Sequence, residues 1–303
     1  MSFSSEVKKE LLSIDVLKPC CRHAEAYGMV IFGKTFSSSS VSFKTDKKEI
    51  ADIYASFLSE ECETEPETLE REGKKITVLL KKASDRRKVL EKFGHSQNEV
   101  TLRINRANIA DDCCFSAFLR GVFLSCGTVT SPEKSYHLEF VVPFLKLSND
   151  LFSIMSEMEL EPKHVVRKGS HIIYFKDSEK IEDILTLMGA MNSSLRFMGI
   201  KMNKDMRNHV NRRVNFETAN IGRSVNASAV QIEAINKIIA ASKFDELPEP
   251  LQRTARLRLE NPEASLNELE RLTDHSVSRS GINHRLTKLT EIADGLFDDK
   301  EKN

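Results

Sequence analysis

Apolar residues recur along this chain with two different periods, and the change of period outlines its elements. Residues 1–18 carry apolar side chains at helical spacing, which predicts one amphipathic helix that Pro19 ends. Alternating segments such as Val41–Thr45 and Tyr136–Val142 predict β-strands, because successive side chains of a strand point to opposite faces. The mixture predicts an α+β region, followed by an all-α region at the C-terminal end.

The α+β region contains an internal duplication. Segment 24–35 aligns without a gap on segment 117–128, and Gly28 in the first copy matches Gly121 in the second. Each copy predicts a helix, two strands, a helix, two strands and a closing helix, an αββαββα unit. A glycine inside a helix costs about 1 kcal/mol relative to alanine. Its presence in both first helices therefore predicts that these two helices approach each other closely.

Turn and cap signals mark the inner elements of the copies. In the second copy, a hairpin is predicted to turn at Lys168-Gly169-Ser170. In the first copy, Asp46 and Glu49 predict a capped helix start, and Gly73 predicts the matching hairpin turn.

The segment Ser265–Leu289 predicts two helices joined by a tight polar turn. Ser265 and Glu268 form a capping box at the start of the first helix. The turn follows at residues 273–276, where Asp274 stands near the place that a glycine commonly takes. The predicted inward positions are Leu266, Leu269, Leu272, Val277, Ile282, Leu286 and Leu289. Two short helices joined in this way form a helix-turn-helix.

Polar and cationic side chains cover the predicted outer face of the second helix. Arginine can pair with guanine, asparagine with adenine, and serine or lysine with bases or phosphates. We expect contacts in the major groove from Arg279, Ser280, Asn283, His284 and Arg285. We expect contacts with the flanking phosphates from Ser276, Ser278 and Lys288. The alternative is a surface helical hairpin that binds no DNA.

Composition and charge limit the class of protein to which this chain can belong. The 303 residues are 40% hydrophobic and 30% charged with a formal net charge of zero, which is typical of a globular protein. No apolar run is long enough to span a bilayer, and residues 1–12 contain no signal-peptide core, so we expect a cytoplasmic protein. Cationic charge is concentrated in the connector 196–213. Its possible phosphate contacts are Lys201, Lys204, Arg207, Arg212 and Arg213, unless this is a plain solvated face.

The cysteines show none of the usual metal-binding spacings. The chain has six cysteines, which are the adjacent pairs Cys20-Cys21 and Cys113-Cys114 together with the single residues Cys62 and Cys126. Cys20 to His23 could in principle hold a metal, although half-buried reduced thiols explain that segment equally well. The eight histidines are scattered. We therefore predict no metal, no cofactor and no small-molecule substrate.

Two segments resemble a known motif. Tyr27–Lys34 and Arg120–Gly127 are similar to the paired LAGLIDADG helices of homing endonucleases. In that family the two helices pack at a pseudo-twofold axis beneath a DNA-binding saddle of sheets, and an aspartate in each motif holds the catalytic metal. Those positions are Gly33 and Cys126 here, and neither side chain suits Mg²⁺, which prefers carboxylate oxygens. The resemblance implies the shape of the nuclease without its chemistry.

The whole chain resembles the WhiA family of bacterial sporulation and cell-division regulators. The resemblance depends on the degenerate motif pair, the basic connector and the run Ser278–Leu286, in that order. It implies a non-catalytic, sequence-specific regulator of transcription, associated with the nucleoid and linked to cell division, chromosome segregation and sporulation. Double-stranded promoter DNA would be its partner, together with RNA polymerase or a sigma factor. The alternatives are a sigma-factor-binding adaptor and an active nuclease with relocated metal ligands.

The same resemblance implies an order of domains. An N-terminal helix (1–20) precedes a LAGLIDADG-like domain (21–195) with copies at about 22–93 and 113–190. The basic connector and a helix (196–245) follow. A helix-turn-helix domain (246–297), similar to the sigma-factor region that reads promoters, comes before a charged tail (298–303).

Overall fold

The computed structural model describes residues 2–70 and 75–298. It divides into two compact units, Met1–Asp205 and Met206–Asn303. The first unit combines helices with two antiparallel sheets, whereas the described part of the second unit contains only helices. The predicted turn at Gly73 and the tail after Asp298 lie outside the described residues.

The predicted duplication is present in the first unit, and both copies have the predicted αββαββα order. The first copy consists of α2 (Pro19–Ile31), β1 (Thr35–Phe36), β2 (Val41–Thr45), α3 (Lys48–Cys62), β3 (Glu67–Leu69), β4 (Ile76–Leu79) and α4 (Ala83–Lys92). The second copy consists of α5 (Asp112–Cys126), β5 (Gly127–Val129), β6 (Leu138–Val142), α6 (Leu145–Glu157), β7 (Lys163–Arg167), β8 (Ser170–Phe175) and α7 (Ser178–Met188). A 3-10 turn at Arg106–Ile109 lies between them.

The two sheets share one topology. Their strand orders are β1-β2-β4-β3 and β5-β6-β8-β7, and all neighbouring strands are antiparallel. The two central strands of each sheet pair directly with each other. In the first sheet, for example, Phe43 of β2 lies opposite Val78 of β4. In the second sheet, Lys168 and Gly169 both have positive φ, as a tight two-residue hairpin requires. The predicted turn at Lys168-Gly169-Ser170 is confirmed.

The first helices of the two copies, α2 and α5, pack against each other at their glycines. A Cβ atom built on Gly28 would lie 2.3 Å from the carbonyl oxygen of Phe118. A Cβ atom on Gly121 would lie 2.1 Å from the carbonyl oxygen of Glu25. Backbone atoms cannot move aside as a side chain can, so only glycine fits at either position. The predicted close approach is confirmed.

The N-terminal helix is shorter than predicted. Helix α1 spans Phe3–Leu12 and buries Phe3, Val7 and Leu11. Pro19 does not end that helix. It is instead the first residue of α2, where a proline is tolerated because the first N–H groups of a helix lack intrahelical partners.

The predicted cap on α3 is also wrong. The N-cap residue is Lys47, which makes no side-chain cap bond, and neither Asp46 nor Glu49 supplies one. The amide N–H of Lys47 donates to the hydroxyl of Thr45 at 3.1 Å, so the preceding strand end organises this turn.

The second unit has its own apolar core. Its helices are the end of α8 (Met191–Ala240), α9 (Glu249–Glu260), α10 (Leu266–Leu272) and α11 (Arg279–Asp298). The predicted connector 196–213 is helical throughout, as part of α8. The fully buried residues of this core are Ile235, Ile238, Ala255, Leu269, Ile282, Leu286, Leu289 and Ala293. Within the described ranges 2–70 and 75–298, no helix combines the length and apolarity needed to cross a bilayer.

Candidate nucleic-acid interface

Helix α10 begins with the capping box that the sequence predicts. The backbone N–H of Glu268 donates to the hydroxyl of Ser265 at 3.3 Å, and its carboxylate accepts the N–H of Ser265 at 2.7 Å. Leu269 is fully buried and Leu266 is partly buried beneath this helix. Leu272 was predicted to face inward, but its side chain is 54% exposed, because α10 ends at this residue.

The turn between α10 and α11 needs no glycine. Asp274 and His275 have φ angles of 49° and 57°, in the left-handed region. Aspartate and histidine are among the non-glycine residues that adopt this region most readily. The N–H of Asp274 donates to the carbonyl of Arg271 at 3.0 Å, in the last turn of α10. An aspartate at this position is therefore compatible with the helix-turn-helix.

Helix α11 is anchored by one apolar face. Ile282, Leu286, Leu289 and Ala293 are each 0 or 1% exposed, at the spacing of successive helical turns. At the helix start, the hydroxyl of Ser278 accepts the N–H of Gly281 at 3.3 Å. This anchoring fixes the direction in which all the other side chains of α11 point.

The outer face of α11 carries most of the predicted contact residues. These residues differ in how far their side chains are exposed to solvent. The exposed ones are Ser276, Ser278, Arg279, Ser280, Asn283, His284 and Lys288. Arg285 is half-buried and lies at the edge of the apolar face, in a cleft with Glu249 and Arg253 of α9. Thr287, which was not among the predicted contacts, is exposed one turn beyond His284 on the same face.

Several predicted phosphate-binding cations already have partners. The ammonium of Lys288 lies 3.1 Å from the Glu291 carboxylate. In the first unit, Lys201 lies 3.3 Å from Glu182. Pairing leaves less free charge to attract phosphate, although exposed pairs of this kind are weak.

The remaining connector cations differ in their surroundings. The ammonium of Lys204 lies 5.0 Å from the ring centroid of Tyr136. Arg213 lies 2.9 Å from the carboxylate of Glu217, one helical turn away. Arg207 and Arg212 are exposed to solvent.

A cationic hollow of about 500 Å³ borders the start of α11. Arg279 and Asn283 line it together with Arg223 of α8 and Arg258 of α9. Arg258 is only 2% exposed and donates to the carbonyl oxygen of Ala264 at 2.6 Å. Burial lowers the pKa of its guanidinium. Arg223 and Arg258 were not predicted, because the hollow is lined by residues of four helices that meet only in the folded unit.

The degenerate acid positions of the first unit lie at equivalent ends of α2 and α5. Gly33 follows the end of α2, and Cys126 is the last residue of α5. Burial raises the pKa of the Cys126 thiol to about 12, so it is neutral near pH 7. Beside it, Lys8 of α1 donates to the carbonyl oxygen of Leu124 at 3.1 Å. An ammonium group at this helix end is a poor neighbour for a metal cation.

Comparison with known proteins agrees with this architecture. Residues 115–207 match the model of the WhiA LAGLIDADG-like domain, and residues 210–293 match that of the WhiA C-terminal HTH domain. Proteins named "Probable cell division protein WhiA" are 37% identical in Bacillus subtilis and 37% identical in Staphylococcus carnosus. The alignments cover 98% of this chain in both cases, and 97% and 98% of those relatives.

A solved structure shares the fold along the whole chain. The full-length DUF199/WhiA crystal structure from Thermatoga maritima covers 97% of this chain and 98% of its own, with a TM-score of 0.57 at 23% identity. With the sequence relatives aligned from end to end, and with an αββαββα pair followed by a helix-turn-helix, the chain belongs to the WhiA family.

Proposed function

We propose that this protein is a non-catalytic regulator of transcription that binds double-stranded promoter DNA through its helix-turn-helix. The observation that carries the proposal is the division of α11 into two faces. Ile282, Leu286 and Leu289 anchor it, while Asn283 and His284 stand exposed beside Arg279. A helix held in this way can enter the major groove without rearranging its own core.

The contacts expected in the groove follow from side-chain chemistry. Asn283 would bind adenine, Arg279 and Arg285 would bind guanine, and Ser280 and His284 would bind either base edges or the adjoining backbone. Thr287 joins this set because it is exposed on the same face. The half-buried Arg285 would reach DNA only from the edge of the helix.

The phosphate backbone would be bound by groups around this helix. Ser276, Ser278 and Lys288 flank the reading face, and Arg223 stands across the cationic hollow. Along α8, the exposed Arg207 and Arg212 are better placed to supply sequence-independent attraction than the ion-paired Lys201 or Arg213.

Testing this function begins with a genome-wide map of bound sites, compared with the expression profile of a deletion strain. A duplex from the map is then titrated with Asn283→Ala in the full chain. We expect binding to that duplex to weaken by about 1 to 3 kcal/mol, with little change for unrelated DNA. Asn226→Ala, an exposed asparagine on α8, is the matched control. An equal loss of affinity for every duplex would contradict base reading by α11.

A second titration separates the two kinds of contact. Replacing Arg212 with Gln should weaken binding to all duplexes and reduce the slope of affinity against salt concentration by about one ion. If Arg212→Gln leaves the slope unchanged, the connector does not bind phosphate.

The first unit is proposed to provide a scaffold without nuclease activity. Its metal-holding acids are replaced by Gly33 and Cys126, and Lys8 lies beside the second position. Incubation of the bound duplex with Mg²⁺ or Mn²⁺ should therefore leave both strands intact. Cleavage that depends on the divalent cation would overturn this part of the proposal.

The cellular role follows from the family and remains part of the proposal. The related proteins carry the name of a cell division protein. We propose that this chain acts on the nucleoid, at promoters of genes for cell division, chromosome segregation and sporulation, together with RNA polymerase or a sigma factor. Bound sites without any change in expression after deletion would argue against regulation of transcription.

A further inference from the structure

Four cysteines from the two copies meet at one place in the first unit. The sulfur atoms of Cys20, Cys21, Cys113 and Cys114 all lie within 4.8 Å of one another. One pair across the copies, Cys20 and Cys113, has its sulfur atoms 3.8 Å apart. Each copy contributes one adjacent pair, so the cluster exists only when both copies are folded together.

The two pairs occupy equivalent positions in their helices. Cys20 and Cys21 are the second and third residues of α2, and Cys113 and Cys114 are the second and third residues of α5. The cluster therefore shares the pseudo-twofold relation that also brings Gly28 and Gly121 together.

The spacing of the sulfur atoms suits a single tetrahedral ion. A Zn–S bond is about 2.3 Å long, so the edges of a ZnS₄ tetrahedron measure about 3.8 Å. The observed 3.8 Å pair already has this length, and the whole set lies within 4.8 Å. Shifts of about 1 Å or less in the side chains would complete the geometry.

The cluster also has an entry path. Cys20 and Cys113 are half-buried, whereas Cys21 and Cys114 are buried. A shallow depression of about 250 Å³ borders Cys21 and Cys113, and Lys18 lines the same depression. Asp15 and Arg120 line it as well, so side chains of both signs border the entrance.

We propose that these four cysteines hold one zinc ion, which joins the two copies at the N-terminal ends of α2 and α5. Four thiolates in tetrahedral array are a donor set typical of structural zinc. The sequence alone predicts no metal, because each adjacent pair lacks the usual spacing and its partner pair lies in the other copy.

Metal analysis of the full-length protein is the first test. The chain is produced with zinc in the medium, purified without oxygen and without chelator, and analysed for metals and for free thiols. We expect about one zinc per chain. Iron with sulfide would mean a cluster in place of a single ion. A Cys20–Cys113 disulfide without metal would mean a covalent link, and either result would overturn the proposal.

A pair of variants assigns the ligands. Cys20→Ser with Cys113→Ser should lower the zinc content about tenfold or more. Cys62→Ala is the matched control, because Cys62 is a buried cysteine outside the cluster and its loss should leave the zinc content unchanged. Zinc that persists in the double variant would show that these cysteines are not the ligands.

A titration of the metal-free wild-type protein keeps the proposal testable if the double variant does not fold. Added Co²⁺ should produce the strong sulfur-to-metal absorption and the visible bands of a tetrahedral thiolate site, and one equivalent of zinc should abolish them. A weak, purely octahedral spectrum would overturn the proposal.

Discussion

The two copies of the first unit share one fold but differ in the side chains at their contact. Gly28 and Gly121 are equivalent, as are the two cysteine pairs, and all of them lie where α2 meets α5. Other equivalent positions have diverged. Tyr27 corresponds to Arg120, and both are buried. The two copies have the same residue type where the two helix backbones must approach. They differ where a side chain only has to fill space or to bond to a neighbouring polar group.

The diverged positions carry a buried polar network. Arg120 of α5 lies 2.8 Å from Glu25 of α2, and it also donates to the carbonyl oxygen of Met188 at 3.1 Å. Burial raises the pKa of Glu25, and the guanidinium of Arg120 opposes that rise. On the other side, the hydroxyl of Tyr27 accepts the N–H of Asn105 at 2.7 Å. Each copy therefore contributes a different polar anchor to the shared core.

The largest effect is expected when this asymmetric pair is broken. Arg120→Met leaves Glu25 buried without its cation, so the free energy of unfolding should fall by about 3 to 5 kcal/mol at pH 7. Denaturant unfolding of the full chain measures it. The loss should shrink towards pH 5, because the variant can then protonate Glu25. Arg106→Met is the control, since both partners of its ion pair with Glu157 are more than half exposed and the pair should be worth about 1 kcal/mol or less.

The symmetric glycines should respond alike. Gly28→Ala and Gly121→Ala each force a methyl group against a backbone carbonyl, and each should cost about 1 to 3 kcal/mol. Gly199→Ala is the matched control, because nothing lies within 4 Å of the place that its new methyl group would take, and α8 should gain about 1 kcal/mol. If only one of the two contact variants is destabilised, the pseudo-twofold packing of α2 on α5 is not symmetric.

A loss no larger than that of the glycine variants is expected at Tyr27, the residue of the first copy that is equivalent to Arg120. Tyr27→Phe removes an acceptor from Asn105 and a partner at 3.1 Å from His95, at a cost of about 1 to 3 kcal/mol. In Tyr54→Phe the cost should be close to zero, because the buried Tyr54 hydroxyl has no hydrogen-bond partner among the described residues. Similar losses in both variants would show that the Tyr27 network contributes nothing specific.

The smallest effect is expected from Lys8 of α1, whose ammonium group lies beside the C-terminal end of α5. Burial lowers the pKa of Lys8 to about 8 from 10.5, so holding its charge costs stability below pH 8. Lys8→Met should raise the free energy of unfolding by about 1 kcal/mol at pH 7. Between pH 8 and 10.5 the difference in free energy of unfolding between the variant and the wild type should shrink, because the folded wild type loses this proton first. Lys9→Met, at an exposed position, should change neither quantity.

Local signals in the sequence predicted much of this architecture. The alignment of segments 24–35 and 117–128 identified the duplication, and the glycines within it identified the helix contact. The capping box at Ser265 and the hairpin at Gly169 were also found, because cap and turn chemistry depends on neighbouring residues alone. Helix lengths were less predictable. Proline can begin a helix as well as end one. The prediction that Pro19 ends a helix over residues 1–18 was therefore wrong, since Pro19 begins α2.

Clusters of side chains from distant segments were not predicted, in contrast to the helix contact that the duplicated glycines marked. The four-cysteine cluster combines pairs from different copies. The cationic hollow needs Arg223 and Arg258 from two helices beside α11, and neither residue belongs to a motif. The pairing of Lys201 with Glu182 is equally invisible in a count of charges.

The separation of the two faces of α11 has a consequence for how such proteins diversify. The residues that hold the helix in place, such as Ile282 and Leu286, are different from those presented to solvent, such as Ser280 and Asn283. Exchanges on the outer face can therefore accumulate without endangering the fold. A lineage could retarget its regulator to new operators through a few outward substitutions, while every descendant kept the same stable framework.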